Sequence, residues 1–436
     1  MDTNTVPKPN KVVLQRLKGT QDVLPLSVAD VGQPALSIHL WQQLEQLLHQ
    51  YFQAANYQEI RTPSLEYTEL FARGVGEATD IVTKEMFTFE RSDRSLTLRP
   101  EGTAGVVRAF VENGLSRQPK PVKLYYCGPM FRYERPQEGR QRQFHQVGLE
   151  LLGLDTPAAD AESILMAAGL FRALGLPQEA ITLRINNVGL PEDRALFRDA
   201  LKALLFAQLP QLCDTCQARY EKNPLRMLDC KVPSCQAIYR QDTVSDFLRQ
   251  YPWPDSSRVP FEQLLVLLNE MGVSYVHDPY LVRGLDYYTR TVFEFTTDRL
   301  GAQNAVCGGG RYNQLVETLG GPPTPSVGWA IGVERLLRLM TPLPPARLDV
   351  FVCSQDIPAA FRVAEHLRAA GLRVEVDLSE RALGKQLAQA SKRQARWALI
   401  RGESEQQADE WQLKHLDRGT QQTVASLPDP QVFFAS

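Results

Sequence analysis

The chain has 436 residues, a formal net charge of −2 and 43% hydrophobic residues, values typical of a folded protein of two or three domains. No apolar run approaches the roughly 20 residues that span a bilayer, and the N-terminus lacks an apolar signal core, so we expect a cytoplasmic protein without a membrane segment. The balanced charge excludes a globally basic nucleic-acid binder, and the odd count of 7 cysteines argues against a disulfide framework.

The first predicted helix covers about residues 37–54. Trp41, Leu44, Leu48 and Phe52 recur at helical spacing and define one apolar face, which we expect to pack in the core.

Residues 60–103 contain two further patterns. The stretch 60–70 has an arginine, a proline and then alternating polar and apolar residues. Short strands are predicted at 84–89 and 96–99, and Glu101 follows where the second strand gives way to a helix at 104–112. A carboxylate there is either an acceptor for an ammonium group or a charge that complements the helix dipole, and both alternatives stay open.

A charged hairpin is predicted at residues 125–153, with its loop at 135–140. Alternation along a strand places Arg132 and Glu134 on one side, and likewise Gln146 and Glu150. Arginine forks bind phosphate oxygens, and carboxylates accept N–H groups. The alternative is a surface hairpin with solvated charges.

Residues 191–278 read as a helical insertion in a sheet-based domain, because helical segments alternate there with polar turns. The insertion holds Cys213-x2-Cys216 and Cys230-x4-Cys235, which resemble zinc-ligand spacing. The second spacing is longer than usual. We therefore expect reduced thiols and no bound metal, with structural zinc as the alternative.

The sheet is predicted to resume at 281–297, where Arg283 and Tyr288 flank a glycine-containing turn. The glycines at 308–310 suggest a turn that lies against a ligand, followed by a helix at 312–319. Residues 327–340 read as a strand that runs into a helix, with Arg335 at the junction.

A proline-rich linker at 341–346 predicts a domain boundary. Beyond it, strands and helices alternate, which indicates a small α/β domain with a mostly parallel sheet. Basic residues surround its second predicted helix, and they form either a solvated face or a phosphate-binding surface: Lys385, Lys392, Arg393 and Arg396.

Taken in order, these patterns resemble motifs 1, 2 and 3 of the class II aminoacyl-tRNA synthetases. The segments RQFHQ, RGLDYY and GGGRY resemble those of the histidyl-tRNA synthetase family. The resemblance implies an α+β fold: an antiparallel-sheet catalytic domain with a helical insertion, and a C-terminal α/β anticodon-binding domain. It also implies a homodimer. The implied boundaries are 1–190 and 279–340 for the catalytic domain, 191–278 for the insertion and 347–436 for the anticodon-binding domain.

The resemblance further implies ATP-dependent activation of L-histidine to histidyl-adenylate and transfer to the 3′ end of tRNA(His), with Mg2+ accompanying ATP. It assigns the α-amino group of histidine to Glu101, Thr103 and Gln146. It assigns the imidazole nitrogens to Glu150 and Tyr288, and Thr289 also to the histidine site. The implied ATP-binding residues are Arg132, Arg140 and Arg335, and the implied catalytic residues are Arg283 and Arg132.

Two other functions fit a catalytic domain of this type. One is a histidine-binding regulatory paralogue of histidine biosynthesis, which lacks the anticodon domain and some ATP-contacting arginines. The other is a pseudo-synthetase sensor within a larger kinase chain. This chain keeps Arg132, Arg140, Arg283 and Arg335 and continues well beyond Arg347. These features favour the enzyme.

Overall fold

The computed structural model describes residues 14–77, 79–134, 140–301, 304–344, 346–379, 381–425 and 427–434. The chain divides into a large unit, Met1–Leu343, and a small unit, Pro344–Ser436. This division falls inside the proline-rich segment 341–346. Of the predicted hairpin loop at 135–140, residues 135–139 lie outside the described residues. Within the described part, no helix is long and apolar enough to cross a membrane.

The large unit is built on a mixed sheet that is mainly antiparallel. Its strands and those of a small additional sheet are β1 Gln58–Glu59, β2 Leu65–Tyr67, β3 Phe87–Arg91, β4 Arg94–Leu98, β5 Val122–Phe131, β6 Gln143–Leu152, β7 Thr182–Asn187, β8 Tyr275–His277, β9 Thr289–Thr296, β10 Ala305–Arg311 and β11 Ser326–Gly332. The main order is β1-β5-β6-β11-β10-β9-β7-β8, and the small sheet has the order β2-β4-β3. Only the edge pairs of the main sheet, β1 with β5 and β7 with β8, are parallel among the described strands.

The helices of the large unit cover the sheet and form the insertion. They are α1 Val28–Val31, α2 Ile38–Ala54, α3 Thr68–Val75, α4 Thr103–Glu112, α5 Pro157–Ala173, α6 Pro191–Leu205, α7 Asp214–Lys222, α8 Pro233–Tyr239, α9 Asp242–Gln250, α10 Asp255–Glu270, α11 Leu315–Thr318 and α12 Val333–Leu339. The predicted apolar face of α2 is confirmed: Trp41, Leu44, Leu48 and Phe52 are all buried. The ring of Phe52 stacks on Tyr125 of β5 at 4.5 Å between centroids.

The insertion has a hydrophobic core of its own, formed by α6 to α9 and the turns between them. Helix α10 does not belong to that core. Its apolar side chains Phe261, Leu264 and Leu268 are part of the main core, and β8 pairs with β7 of the main sheet. Residues 255–277 fall within the predicted insertion at 191–278, whereas the structure packs this segment on the main sheet. Sequence periodicity identifies the apolar face of α10 but not the partner that covers it.

The glycines at 308–310 do not form the expected turn. They lie inside β10, which pairs with β9 on one side and β11 on the other. At Gly309, an added Cβ would stand 2.4 Å from the carbonyl oxygen of Gly328. Side chains are excluded here because neighbouring strands and cavity groups approach too closely. The helix that follows is limited to α11, rather than the expected 312–319.

The small unit is an α/β domain. Its elements are β12 Val350–Ser354, α13 Ile357–Ala369, β13 Val374–Val376, α14 Leu383–Lys392, β14 Trp397–Arg401, α15 Glu403–Ala408, β15 Glu410–His415, β16 Gln421–Ala425 and α16 Gln431–Phe434. The strand order is β13-β12-β14-β15-β16. The first three strands are parallel, and the last two join antiparallel. Val350, Leu367, Leu399 and Trp411 lie in its core.

Candidate active site

A cavity of about 800 Å³ opens beside the central strands of the large sheet. Its wall is formed by β6, β10 and β11, by the start of α4 and by residues 283–288. Eight of the ten predicted site residues line it: Glu101, Thr103, Arg132, Arg140, Gln146, Arg283, Tyr288 and Arg335. The other two, Glu150 and Thr289, are buried behind the wall. The structure therefore brings together side chains that are far apart in the chain.

Acceptor groups gather at the start of α4. The carboxylate of Glu101 accepts hydrogen bonds from the backbone N–H groups of Thr103 and Ala104, both at 2.8 Å. Glu101 thus stabilises the helix N-terminus, as the second alternative predicts, and it also borders the cavity. Burial raises the pKa of Glu101. Nearby, the buried amide oxygen of Gln146 has no hydrogen-bond partner among the described residues.

Glu150 lies fully buried on β6, against Gly328 of β11. A Cβ atom at residue 328 would stand 1.9 Å from Oε2 of Glu150, so only glycine leaves room for this carboxylate. The hydroxyl of Thr103 donates to Oε1 at 2.8 Å, and the hydroxyl of Tyr312 donates to Oε2. Burial raises the pKa of Glu150 to about 8, and the two donated hydrogen bonds act in the opposite direction.

Tyrosines form the wall beside Glu150. The rings of Tyr287 and Tyr288 lie 4.7 Å apart between centroids, and those of Tyr287 and Tyr312 lie 5.6 Å apart. Burial raises the pKa of Tyr288 to about 12, so its phenol stays protonated near neutral pH and is able to donate or accept a hydrogen bond. Tyr312 is not among the predicted site residues. The sequence feature that could have identified Tyr312 is its position directly after the glycines at 308–310 and Arg311.

Thr289 supports this wall from behind. Its hydroxyl donates to the carbonyl oxygen of Arg311 at 3.4 Å and accepts from the backbone N–H of Asn313 at 3.3 Å. These bonds tie the start of β9 to the end of β10, next to Tyr288 and Tyr312.

Four of the arginines that line the cavity are predicted site residues, and they come from the hairpin, from the segment before β9 and from α12: Arg132, Arg140, Arg283 and Arg335. Arg283 forms an ion pair with Glu294 of β9, and its Nε has no hydrogen-bond partner among the described residues. The Nε of Arg132 donates to the carbonyl oxygen of Pro100 at 2.8 Å. Nη1 of Arg140 lies 2.9 Å from Oε2 of Glu134. This cluster of positive charge favours an anionic ligand with several oxygens.

Arg335, the fourth arginine, donates to the carbonyl oxygen of Ala305. Burial lowers the pKa of Arg335, and the neighbouring positive charge of Arg140 lowers it further. Such mutual repulsion is relieved when an anion binds between the guanidinium groups.

Helix α12 is fastened to the hairpin by Glu334, the residue before Arg335. The two carboxylate oxygens of Glu334 accept from the backbone N–H of His145 at 2.9 and 3.0 Å, and Oε1 also lies 3.0 Å from Nδ1 of the His145 ring. The sequence analysis did not single out this contact. It joins residues 189 positions apart and fixes Arg335 relative to the hairpin that carries Arg132.

Comparisons with known proteins agree with this architecture. A family model described as histidyl-tRNA synthetase matches residues 33–336, and one described as anticodon binding domain matches residues 349–426. A histidine–tRNA ligase of Synechococcus sp. (strain JA-3-3Ab) is 49% identical over 94% of this chain and 96% of the relative. The corresponding protein of Desulforamulus reducens is 47% identical over 94% of this chain and 96% of the relative.

Solved structures give the same result. The apo histidyl-tRNA synthetase of S. aureus has a TM-score of 0.75 at 34% identity, with 95% of this chain and 97% of that one covered. A Bacillus halodurans protein described as an ATP phosphoribosyltransferase regulatory subunit/histidyl-tRNA synthetase shares the fold. Its TM-score is 0.61 at 21% identity, and the match covers 88% of this chain and 97% of that one. The extent of the family match and the identity to these relatives show that the chain belongs to the histidyl-tRNA synthetase family.

Proposed function

We propose that the protein is a histidine–tRNA ligase. It activates L-histidine with ATP to histidyl-adenylate, releasing diphosphate, and then transfers histidine to the 3′ end of tRNA(His), releasing AMP. One observation carries this proposal: a single cavity is lined by acceptors suited to an ammonium group, by tyrosine hydroxyls suited to an imidazole, and by five arginines.

The α-amino group of histidine fits the acceptors at the start of α4. Glu101 keeps free lone pairs although it accepts two backbone hydrogen bonds, since an ionised carboxylate has about four acceptor sites. The unpaired amide oxygen of Gln146 supplies another acceptor, and Thr103 borders the same corner. Binding of an ammonium group there would satisfy an otherwise unpaired buried oxygen.

The imidazole of histidine fits between Tyr288 and Glu150. A histidine side chain offers an N–H donor and a lone pair, and these two residues offer an acceptor and a donor. Glu150, which is buried behind the wall, would act through Thr103 and Tyr312, since both line the cavity and donate hydrogen bonds to its carboxyl group. A pocket with buried polar groups of this kind rejects side chains that leave those groups unpaired. Thr289 would act as a positioning residue, because it contacts backbone groups behind the wall.

ATP fits beside the arginines as the second substrate. In the first step, an oxygen of the histidine carboxylate attacks the α-phosphorus, the bond from the α-phosphorus to the bridging oxygen breaks, and diphosphate leaves. Arg132 and Arg283 would stabilise the negative charge on the reacting phosphoryl group, and Arg140 and Arg335 would bind the outer phosphates. Fixed guanidinium groups supply this stabilisation without reorganisation, so no protein nucleophile is needed.

Mg2+ fits the same wall, since Glu134 offers a carboxylate among the arginines and this ion binds through one or two carboxylates together with phosphate oxygens. When bound, it would neutralise part of the phosphate charge.

Part of the tRNA would bind to the small unit, because this unit matches the anticodon-binding family. Lys385 and Lys392 are exposed on and around α14, as a phosphate-binding surface requires. Arg393 lies 3.3 Å from Glu375 and is partly neutralised. From the sequence, these basic residues form either a solvated face or a phosphate-binding surface. Lys385 and Lys392 are better candidates for phosphate contact than Arg393, which is paired with Glu375.

We also propose a homodimer that works in the cytoplasm, where tRNA is charged for translation. The small sheet, whose strand β2 lies within the stretch 60–70, exposes Leu65, Tyr67 and Phe89 by 43%, 50% and 45%. A cluster of exposed large apolar side chains on one small sheet is suited to burial against a second copy.

The regulatory paralogue remains the second candidate, because the B. halodurans structure shares the fold. The arginines that line the cavity and the second unit support the ligase instead. Purified protein should catalyse histidine-dependent exchange between diphosphate and ATP, and should transfer labelled histidine to tRNA(His). Histidine binding without either reaction would favour the regulatory protein. Exchange without transfer would limit the activity to adenylate formation.

A further inference from the structure

Four cysteine sulfurs meet in the helical insertion. The Sγ atoms of Cys213, Cys216, Cys230 and Cys235 all lie within 4.8 Å of one another. Those of Cys213 and Cys230 are 3.8 Å apart. A tetrahedral zinc ion with bonds of about 2.3 Å to sulfur places its ligand sulfurs about 3.8 Å apart. All four cysteines are free thiols, and the separation of Cys213 from Cys230 is far beyond the roughly 2.05 Å of a disulfide.

Two helix starts bring the sulfurs together. Cys213 directly precedes α7, and Cys216 lies in its first turn. Cys235 lies in the first turn of α8, which begins at Pro233. The long Cys230-x4-Cys235 spacing argued against a metal in the sequence, but in the structure the sulfurs of these two residues lie within 4.8 Å of each other. Spacing alone could not show this, because the contact depends on how two helices pack.

The surroundings of the sulfurs suit a bound metal. The backbone N–H of Cys213 donates to Sγ of Cys235 at 3.2 Å, and that of Val232 donates to Sγ of Cys230 at 3.4 Å. Such N–H donors stabilise thiolate ligands. Cys216, Cys230 and Cys235 are buried, whereas Cys213 is half-buried and leaves a route of entry. The other cysteines, Cys127, Cys307 and Cys353, are not part of the group.

We propose that Cys213, Cys216, Cys230 and Cys235 bind one structural Zn2+ ion. Four thiolates in a closed tetrahedral set favour zinc, and they leave no open coordination position for catalysis. The proposal replaces the expectation of free thiols and does not depend on the proposed ligase activity.

The bound ion would stabilise the part of the insertion that touches the active-site wall. Asn223, between the two cysteine pairs, donates through Nδ2 to Oδ1 of Asp286 at 3.0 Å. Asp286 lies between Arg283 and Tyr288 in the chain. Arg219 and Arg226 from the same segment lie 3.1 and 3.4 Å from Asp80. Metal binding is coupled to folding in small domains, so loss of zinc should loosen this segment first.

Elemental analysis of the full chain tests the proposal. Protein produced in zinc-supplemented medium and purified under reducing conditions should contain about one zinc per chain. The double variant Cys216→Ser/Cys230→Ser should fall to background, and the matched control Cys127→Ser should keep its zinc. A zinc-free wild-type protein, stoichiometric iron in place of zinc, or full zinc retention in the folded double variant would each overturn the proposal.

A second measurement needs only the wild-type chain, in case the double variant does not fold. Titration of the native protein with a mercurial reagent, in the presence of a colorimetric zinc indicator, should release one zinc as four thiols react. Metal-free protein titrated with Co2+ should develop the sulfur-to-cobalt charge-transfer bands of tetrahedral thiolate coordination. Thiols that react without release of zinc, together with no such bands, would contradict the assignment.

Discussion

Arg283 lies directly against Gly308 of the central strand β10: a Cβ atom at residue 308 would stand 1.9 Å from Nη2 of Arg283. The guanidinium is also held by the ion pair with Glu294 of β9, the cross-strand partner of Gly308. Gly308 and Glu294, from two neighbouring strands, thus fix the guanidinium of Arg283 at the cavity wall. This arrangement suits a group that stabilises developing charge without moving.

Arg283→Ala should lower kcat for histidine-dependent ATP–diphosphate exchange by roughly 10²-fold or more, with a smaller change in KM. The reason is that the cation acts mainly on charge that develops in the transition state. Steady-state exchange assays over a range of histidine and ATP concentrations measure both constants. An unchanged kcat with a raised KM would remove the catalytic assignment and leave Arg283 a binding residue.

Gly308→Ala should also lower kcat, although residue 308 carries no functional group. The new methyl group would displace the guanidinium of Arg283 from its place against β10. Gly384→Ala is the control, because a Cβ there meets no atom within 4 Å and residue 384 lies in α14 of the small unit, so this variant should keep the wild-type rate. If both alanine variants keep wild-type exchange rates, the close approach of Arg283 to Gly308 has no part in catalysis.

Glu150→Gln should change how the stability of the large unit depends on pH. Burial raises the pKa of Glu150 from 4.5 to about 8, so between these values the folded chain holds a proton that the unfolded chain has lost. Stability therefore falls as pH rises through this window, by at most about 1.4 kcal/mol per pH unit. Glutamine cannot titrate. The melting temperature of the variant should rise relative to that of the wild type on going from about pH 5 to about pH 8.

Differential scanning calorimetry measures this difference, with Glu112→Gln as the control. Glu112 is an exposed carboxylate at the end of α4, and its side chain is 65% accessible. Its replacement should leave the pH dependence unchanged. A melting-temperature difference between Glu150→Gln and the wild type that does not vary with pH would mean that Glu150 is ionised throughout the window.

Phe89→Asp combined with Leu65→Asp should weaken self-association, because both side chains are exposed on the small sheet. Sedimentation of the wild type should give twice the chain mass of 49.1 kDa, and the double variant should shift towards the single-chain mass. The control is Leu196→Asp, which replaces a leucine 68% exposed on α6 of the insertion. A wild-type chain that sediments as a monomer at micromolar concentration would contradict the proposed homodimer.

A chain that ends at Leu343 should still form histidyl-adenylate but should charge tRNA poorly. Leu343 closes the large unit, and its backbone N–H donates to Oε1 of Gln43 at 3.4 Å. All predicted site residues precede it. The loss should appear as weaker tRNA binding with a smaller dependence on salt, since each lost phosphate contact removes about one unit of salt slope. Full charging by the truncated chain would show that residues 344–436 do not read the tRNA.

The sequence by itself determined the elements whose signals are local. The apolar stripe of α2, the strands of the 125–153 hairpin, the proline-rich boundary and the strand–helix alternation after it were all readable, because each depends on residues within about one helix or hairpin. The resemblance to a known family also rested on short stretches, and the family match agrees with it.

Only the tertiary structure decided which distant residues meet. Glycines 308–310 lie in a strand paired on both sides, and no side chain fits at 308 or 309 because Arg283, Gly328 and Trp329 lie too close. Tyr312 and Thr103 converge on Glu150 from 162 and 47 residues away, and Glu334 reaches His145 across 189 residues. The four cysteines gather because two helix starts pack together. Such contacts depend on packing between elements, which the period of a single segment does not encode.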